Sequence, residues 1–565
     1  MRRPLALLAL PILLALLTLT VAAPAATLER GVVAAPESLA SEVGAAVLRE
    51  GGNAVDAAVA VHFALAVTFP RAGNLGGGGF MLVHTDSGDV AIDYRETAPA
   101  AASRDMFLDA QGRVVEGLSL DTHRAAGVPG SVAGMWLAHR RYGSLPWKQL
   151  LAPAIRLAER GFPIQPRTAR EFAEETRNNF RDYFHGAAGA LLVQKELAGT
   201  LRRIAAHGAD GFYRGETARL IVEEMRRGGG LVTLADLAAY RAVVRAPVQG
   251  TYRGLRVVSM PPPSSGGVGL IELLNLLERF DPARLVAVMA HEVGIDIQAP
   301  RYVNLVAELE KRVFADRTEY LGDPDFVAVP VDTLVSKTYA ERRAAGISPD
   351  RRTLPDAVRP GIEARESEQT THFSIVDRDG NAVANTTTLN DYYGSGVVVR
   401  GAGFLLNNEM DDFSAIPGAP NLYGVTGGAA NAVAPRKRML SSMCPTFVYR
   451  GNDLWLVLGT PGGPTIFTTV FQVVVNKVDF RVMLGAAVGL PRFHHQWPPR
   501  VPGVDPIDVE PGRELDATTR TALEALGYTI NVRKTPLGDV QAIEVTGGRA
   551  TGTSDPRGIG HTTSE

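Results

Sequence analysis

The residue best placed for nucleophilic chemistry is Thr370. It opens the run TTHFSIV directly after a polar, Pro/Arg-rich stretch that extends from Lys337 to Gln369. A threonine hydroxyl is a weak nucleophile until a base takes its proton. Were the Gln369–Thr370 bond broken, the freed α-amine, which titrates near 8, would lie within reach of its own Oγ and could serve as that base with no histidine. Taken alone, the residue type favours a plainer reading, a β-forming threonine in a strand.

Other groups carry the same double reading. Gly462 and Gly463 follow the apolar run LWLVLGTP and precede a helical pattern, so their N–H groups could meet an anion, or simply make a strand-to-helix turn. Thr386-Thr387-Thr388 passes for a polar strand face, Met410-Asp411-Asp412 for a solvated acidic turn, and Arg95 in YRETAP, at a strand end, for an ion-pair partner. The glycine run GNLGGGGF, from Gly73 to Phe80, lacks the Lys-[Ser/Thr] of a phosphate loop and precedes a strand, which points to tight backbone packing. His494 and His495 in RFHHQW would face opposite ways on a strand, and no carboxylate follows at ligand spacing, so both read as structural. No cofactor motif is present.

The elements that must position these groups are legible from periodicity. Ser38 to Glu50 reads as a surface helix capped by Ser38 and stopped by Gly51-Gly52, and Asn53 to Val67, apolar all round, as a helix buried between layers. Met81 to Arg95 reads as strand, DSGD turn and strand. Helical patterns fill Leu145 to Val244, with amphipathic stretches at Leu197–His207 and Glu216–Arg227. A strand at LRVVSM leads into PPPSSGGVG, and a further helical block runs to Phe314–Phe326. Lys337 to Gln369 reads as an exposed, mobile connector. After it, THFSIV and NAVANTTTLN flank an Asp-Gly turn, a strong hairpin signal. Strands at Met443–Val448 and Leu454–Leu458 and helices at Thr465–Asn476 and Thr518–Leu526 complete the pattern.

Composition narrows the function classes. With 565 residues, 45% hydrophobic and 21% charged, the chain has ample material for a large core, in one or two domains. A net charge of -2 without like-charge blocks gives no nucleic-acid or membrane-surface patch, and favours small polar partners. Arg2 and Arg3, an apolar run of about 17 residues from Leu5, and Ala23-Pro24-Ala25 form the pattern of a secretory signal cleaved near Ala25, rather than a stable membrane anchor. Cys444 is the single cysteine, so no intrachain disulfide forms. A periodic sequence of helices and strands together with an export signal suggests a layered protein that acts in the periplasm or as a secreted protein.

The stretch ESEQTTHFSIVDRDGNAVANTTTLN, with GFLLNNEMDDFS and RKRMLSSMCPTFV, resembles the γ-glutamyltransferase family of N-terminal-nucleophile hydrolases. AVDAAVAV, AGNLGGGGFM, YRETAP, MPPPSSGGV, ADRTEYLGDPDF and SDPR extend the likeness from about residue 28 to 557. The resemblance implies an α+β fold, a four-layer αββα sandwich, cut from one precursor into a large subunit (26–369) and a small catalytic one (370–565) that form a heterodimer. It implies that Thr370 is the nucleophile and that Thr388 supplies a second hydroxyl beside it. By the same resemblance Arg95, Ser441 and Ser442 would bind a substrate α-carboxylate, Asn390, Glu409 and Asp412 an α-ammonium, and Gly462 and Gly463 an oxyanion. PGAPNLYG, from Pro417 to Gly424, looks like a lid loop with Tyr423 at its tip. The implied reaction passes a γ-glutamyl group from glutathione or a related compound to water, or to an amino-acid or peptide acceptor, with no cofactor, metal or nucleic acid. Residues 281 to 301 depart from the family pattern. Two other readings differ in chemistry: an acylase of the same superfamily for glutaryl or cephalosporin side chains, which needs no ammonium pocket, and an exported solute-binding protein, which does not cut itself.

Overall fold

A computed structural model describes residues 27–289, 294–360, 371–416, 429–499, 501 and 503–565. The expected signal at 1–25 lies outside them. In chain order, the first six strands of the two main sheets are β1 (Val32–Ala35), β2 (Gly78–Thr85), β3 (Gly88–Asp93), β4 (Val243–Arg245), β5 (Val248–Tyr252) and β6 (Leu255–Ser259). The rest are β7 (Thr371–Val376), β8 (Ala382–Thr388), β9 (Thr446–Arg450), β10 (Asp453–Gly459), β11 (Gln541–Thr546), β12 (Arg549–Ser554) and β13 (His561–Ser564). One sheet runs β13-β1-β7-β8-β2-β3-β4 and the other β12-β11-β10-β9-β6-β5. Every pairing within them is antiparallel.

Alternation along the strands sorts the side chains into three apolar layers. Val383 on β8 and Phe373 and Ile375 on β7 face one outer layer, while Ala382 and Ala384 face inward with Phe80, Leu82, Phe447 and Val457 to fill the space between the sheets. Helices cover both outer faces. On the first sheet lie α1 (Ser38–Arg49), α2 (Ala54–Thr68), α3 (Ser131–Tyr142) and α4 (Trp147–Arg160). On the second lie α5 (Gly266–Leu277), α6 (Pro300–Tyr320) and α7 (Thr465–Val478). The result is the expected αββα sandwich. Every residue of α2 is buried, as its all-round apolar pattern predicts, and Asn53 caps it, its Oδ1 accepting the Val55 and Asp56 N–H groups while its own N–H donates to the Asp56 carboxylate.

Two expectations need correction. The cap of α1 is Glu37, whose carboxylate accepts the N–H groups of Leu39 and Ala40, so Ser38 is the first helical residue. The connector is ordered over the part described, to residue 360. It contains α8 (Lys337–Ala344), and Asn304 on α6 donates to the carbonyls of Ser348 and Pro349 while Glu308 accepts the N–H of Thr353. Most of its described residues are exposed or half-buried, as the polar composition suggests, but backbone groups of the stretch are anchored on a buried polar seam of α6. Residues 287–289 and 294–296, within the atypical segment, pair as a short antiparallel ribbon.

Candidate active site

One end of the sandwich gathers the candidate residues. There β7 begins, β8 ends at Thr388 opposite Gly78, and β3 runs out into Tyr94 and Arg95. The second sheet contributes the start of β9 and the end of β10. Gly459 lies under the His372 imidazole so closely that a Cβ there would collide with the ring, and this stacks the start of β7 on the end of β10. The glycine run has the packing role its sequence suggests: a Cβ on Gly77 would strike the carbonyl oxygen of Thr388, and one on Gly79 that of Thr386. Asn74 then ties the turn together, donating to the Thr388 carbonyl at 2.8 Å and accepting from the Gly77 N–H at 3.0 Å.

Arg95 is fully buried rather than a surface partner. Its guanidinium donates to Glu409 and Asp412, and also to the carbonyls of Met439 (3.1 Å) and Leu440 (3.0 Å), while Glu96 stands 3.7 Å away. Tyr240 fixes the backbone by donating to the Arg95 carbonyl at 2.7 Å. One guanidinium thus faces three buried carboxylates. Burial pushes Glu96 up to about 8 and Glu409 well above the usual carboxylate range, in both cases against the pull of Arg95. A buried cluster with surplus negative charge needs another cation or a proton.

Four acceptors in this cluster have no hydrogen-bond donor among the described residues: both carboxylate oxygens of Glu96, Glu409 Oε2 and Asn390 Oδ1, all buried. Asn390 is held in a left-handed backbone conformation (φ 71°), with its N–H given to Thr388 Oγ1 at 2.7 Å and its Nδ2 to the Asn408 carbonyl at 3.0 Å. Asparagine tolerates that conformation better than most residues. Ser441 follows the Leu440 carbonyl that Arg95 uses, and Ser442 Oγ accepts from Arg317.

Gly462 and Gly463 follow β10 and precede α7, with φ of 136° and 64° that favour glycine. No backbone acceptor among the described residues takes either N–H, so both remain available to an anion. His372 is no base. Its ring nitrogens contact Thr386 Oγ1 (2.8 Å) and Ser374 Oγ (3.0 Å), and burial lowers its pKa to about 3.

The structure therefore brings together Arg95, Asn390, Glu409, Asp412, Ser441, Ser442 and Thr388 in one buried corner, with Gly462 and Gly463 on the facing sheet. Thr370, Tyr423 and the expected lid at 417–424 lie outside the described residues. His494 Nδ1 contacts Thr468 Oγ1 and His495 Nε2 contacts Asp505, both buried within the second outer layer, which gives these histidines packing roles. The sequence reading missed Glu96, Arg317 and Asn431. Arg317 donates to Ser265 Oγ as well as to Ser442, and Asn431 donates to the Asp412 carbonyl and accepts from the Leu440 N–H. Glu96 and Arg317 stand inside the motifs YRETAP and ADRTEYLGDPDF among other charged residues, so their place in those motifs, and no break in composition, is the signal that could have marked them.

Two antiparallel sheets face to face, helices outside both, and a polar site at the strand ends define an N-terminal-nucleophile hydrolase. A cephalosporin acylase from Bacillus halodurans has this fold, with a TM-score of 0.80, 28% identity and coverage of 95% of this chain and 96% of that one. A γ-glutamyltranspeptidase chain from Helicobacter pylori is 44% identical with a TM-score of 0.54; 95% of it is matched by 58% of this chain, as one part of a cut chain would be. The family profile described as gamma-glutamyltranspeptidase matches residues 40–564. A protein named glutathione hydrolase proenzyme from Pseudomonas aeruginosa is 49% identical, with 95% of each chain covered, and one of the same name from Escherichia coli is 48% identical over 94% of this chain and 91% of its own. The chain belongs to the gamma-glutamyltranspeptidase family. It is an enzyme of γ-glutamyl transfer and hydrolysis, made as a precursor and processed to a two-subunit heterodimer.

Proposed function

We propose that the precursor is cut between Gln369 and Thr370 and that the new N-terminal threonine takes the γ-glutamyl group from glutathione or a related γ-glutamyl amide. Its amine removes the Oγ proton, Oγ attacks the γ-carbonyl, the C–N bond breaks, and the amine leaves with that proton. Water, or the amine of an amino acid or peptide, then attacks the ester and restores the hydroxyl. Gly462 and Gly463 offer their N–H groups to the oxyanion, and one such donor contributes roughly 3 kcal/mol to transition-state stabilisation. In this reading Arg95, with Ser441 and Ser442, holds the α-carboxylate, and Asn390, Glu409 and Asp412 hold the α-ammonium.

The observation that carries this reading is the buried imbalance around Arg95: three carboxylates, one guanidinium and, among the described residues, four acceptor atoms lacking a donor. An α-ammonium supplies the missing cation and donors, while its α-carboxylate competes for the guanidinium. A glutaryl or cephalosporin acyl group has no such ammonium, and the acylase ACY 1 proenzyme of a Pseudomonas species is less similar, at 37% identity. An exported location, in the periplasm or outside the cell, follows from the N-terminal run; no helix among the described residues is long and apolar enough to cross a membrane.

The test is release of p-nitroaniline from γ-glutamyl-p-nitroanilide, alongside a denaturing gel and N-terminal sequencing. The active protein should give two bands, one beginning Thr-Thr-His-Phe, and Thr370→Ala should give one band and no release. An intact wild-type chain that still releases the amine would sink the proposal.

A further inference from the structure

A second polar cavity, of about 110 Å³, opens on the other side of β7 from Arg95. Its walls include Thr371, Gly462, Arg71, Arg167 and Asp539. That is room for several water-sized groups. Its place is fixed twice over, once in each sheet. In the first sheet Arg95 follows β3, three strands from β7, whereas Gly558 and Ile559 in the cavity wall precede β13, two strands from β7 the other way. Strand spacing converts these to about 14 Å and about 10 Å. In the second sheet Ser441 precedes β9, Gly462 follows β10 and Asp539 precedes β11, and these three strands are neighbours in that order. The first sheet therefore places the start of β7, and the second sheet the oxyanion glycine in the cavity wall, between the Arg95 corner and the far side of this cavity.

The cavity has two poles. Arg71 Nη1 and Arg167 Nε both pair with the single carboxylate of Glu171, at 2.8 and 2.9 Å, and Tyr393 donates its hydroxyl to the same carboxylate at 3.0 Å. Two guanidinium groups against one saturated carboxylate leave a net positive pole. Arg71 is held rigidly, 3.8 Å over the Tyr392 ring. Opposite stands Asp539, whose backbone N–H is tied to Thr460 Oγ1 at 2.8 Å and whose Oδ1 accepts from Gln541 at 3.0 Å. Burial and the nearby Asp555 raise its carboxyl to about 7 against the more distant pull of Arg71, Arg492 and Arg167, and no cation among the described residues pairs with it directly. The other arginines of the wall are already matched: Arg557 pairs with Glu510 and Asp555, and Arg533 with Asp508.

We propose that this cavity is the subsite for the amine partner of the reaction, an α-amino acid or short peptide bound as a zwitterion, with its carboxylate at Arg71 and Arg167 and its amino group at Asp539. This rests on the γ-glutamyl reading above and adds the residues that choose the acceptor. A molecule so held presents its nitrogen between Asp539 and Gly462, on the face of the acyl group opposite the γ-glutamyl head. The departing amine of a peptide-like donor leaves through the same place, so the two poles act on whichever amine is present.

The test compares glycylglycine with glycinamide, which keeps the amine and lacks the carboxylate, as acceptors from γ-glutamyl-p-nitroanilide. Wild-type protein should prefer glycylglycine about fivefold, the worth of one partly screened charge contact. Arg167→Met, at a half-exposed position that should leave folding intact, should bring the two acceptors close to parity, and Asp539→Asn should raise the half-saturating concentration of both about tenfold. Equal use of the two acceptors by wild type overturns the proposal, as does a proportional loss of transfer and hydrolysis in both variants, the mark of a structural role. Absence of any p-nitroaniline release from wild type would bring down the γ-glutamyl reading and this one with it, whereas release with unmoved acceptor preference brings down this one alone.

Discussion

Arg95 and Glu96 are adjacent, fully buried residues of opposite acid–base character, and each makes a prediction. Arg95→Lys keeps the charge but loses the fork that reaches Glu409, Asp412 and two carbonyls at once. A lost charge-assisted contact of this kind costs about 3 kcal/mol, so kcat/KM for the γ-glutamyl donor should fall roughly a hundredfold, chiefly through KM. Steady-state kinetics on the folded variant checks it. Glu96, raised to about 8 by burial, binds a proton in the folded protein that the unfolded chain releases above the ordinary carboxylate range. From that range up to about pH 8 the folded state therefore loses stability as pH rises. Glu96→Gln removes this dependence, so the Tm of the variant relative to wild type should climb between pH 5 and pH 8.5 in thermal melts. The sequence identified Arg95, Glu409 and Asp412 only through a family likeness. Read as residue types they were a surface ion pair and a solvated turn, because burial of a charge is set by what folds over it and leaves no local periodic trace.

Elements were more legible than residues, and for a physical reason. The buried α2 and the amphipathic stretch at Leu197–His207 announce themselves through spacing, and the hairpin of β7 and β8 through its Asp-Gly turn. The connector is exposed as its composition suggests, but its docking went unread, because composition reports solubility of the isolated segment, whereas Asn304 and Glu308 on α6 supply partners from more than forty residues away. The glycine run was read correctly, and its consequence is sharp. Gly77→Ala would drive a methyl into the Thr388 carbonyl, which no side-chain rotation relieves. The expected cost is about 3 kcal/mol, at the upper end of overpacking, with a matching drop in the urea midpoint and a smaller fraction of processed chain on a denaturing gel.

At the scale of the whole molecule, the proposed cut at residue 370 falls inside a continuous sheet. β1, from the large part, lies between β13 and β7 of the small part, and β8 of the small part pairs with β2 of the large. The processed protein should therefore elute as one species from a sizing column without denaturant, although it runs as two bands with it. Deleting the last five residues removes the β13 ladder, the Ser41–Thr563 contact and the Glu565 N–H bond to Gly31, and should lower the Tm by several degrees. Such interleaving also orders events in time. Arg95 and Glu96 come from before the severed bond, and Asn390, Glu409 and the oxyanion glycines from after it, so neither half alone holds a working catalyst. Chain scission can then act as a final inspection: only a polypeptide whose distant segments have already threaded into their shared sheet reaches the stage at which activity is unlocked, and stray fragments remain inert.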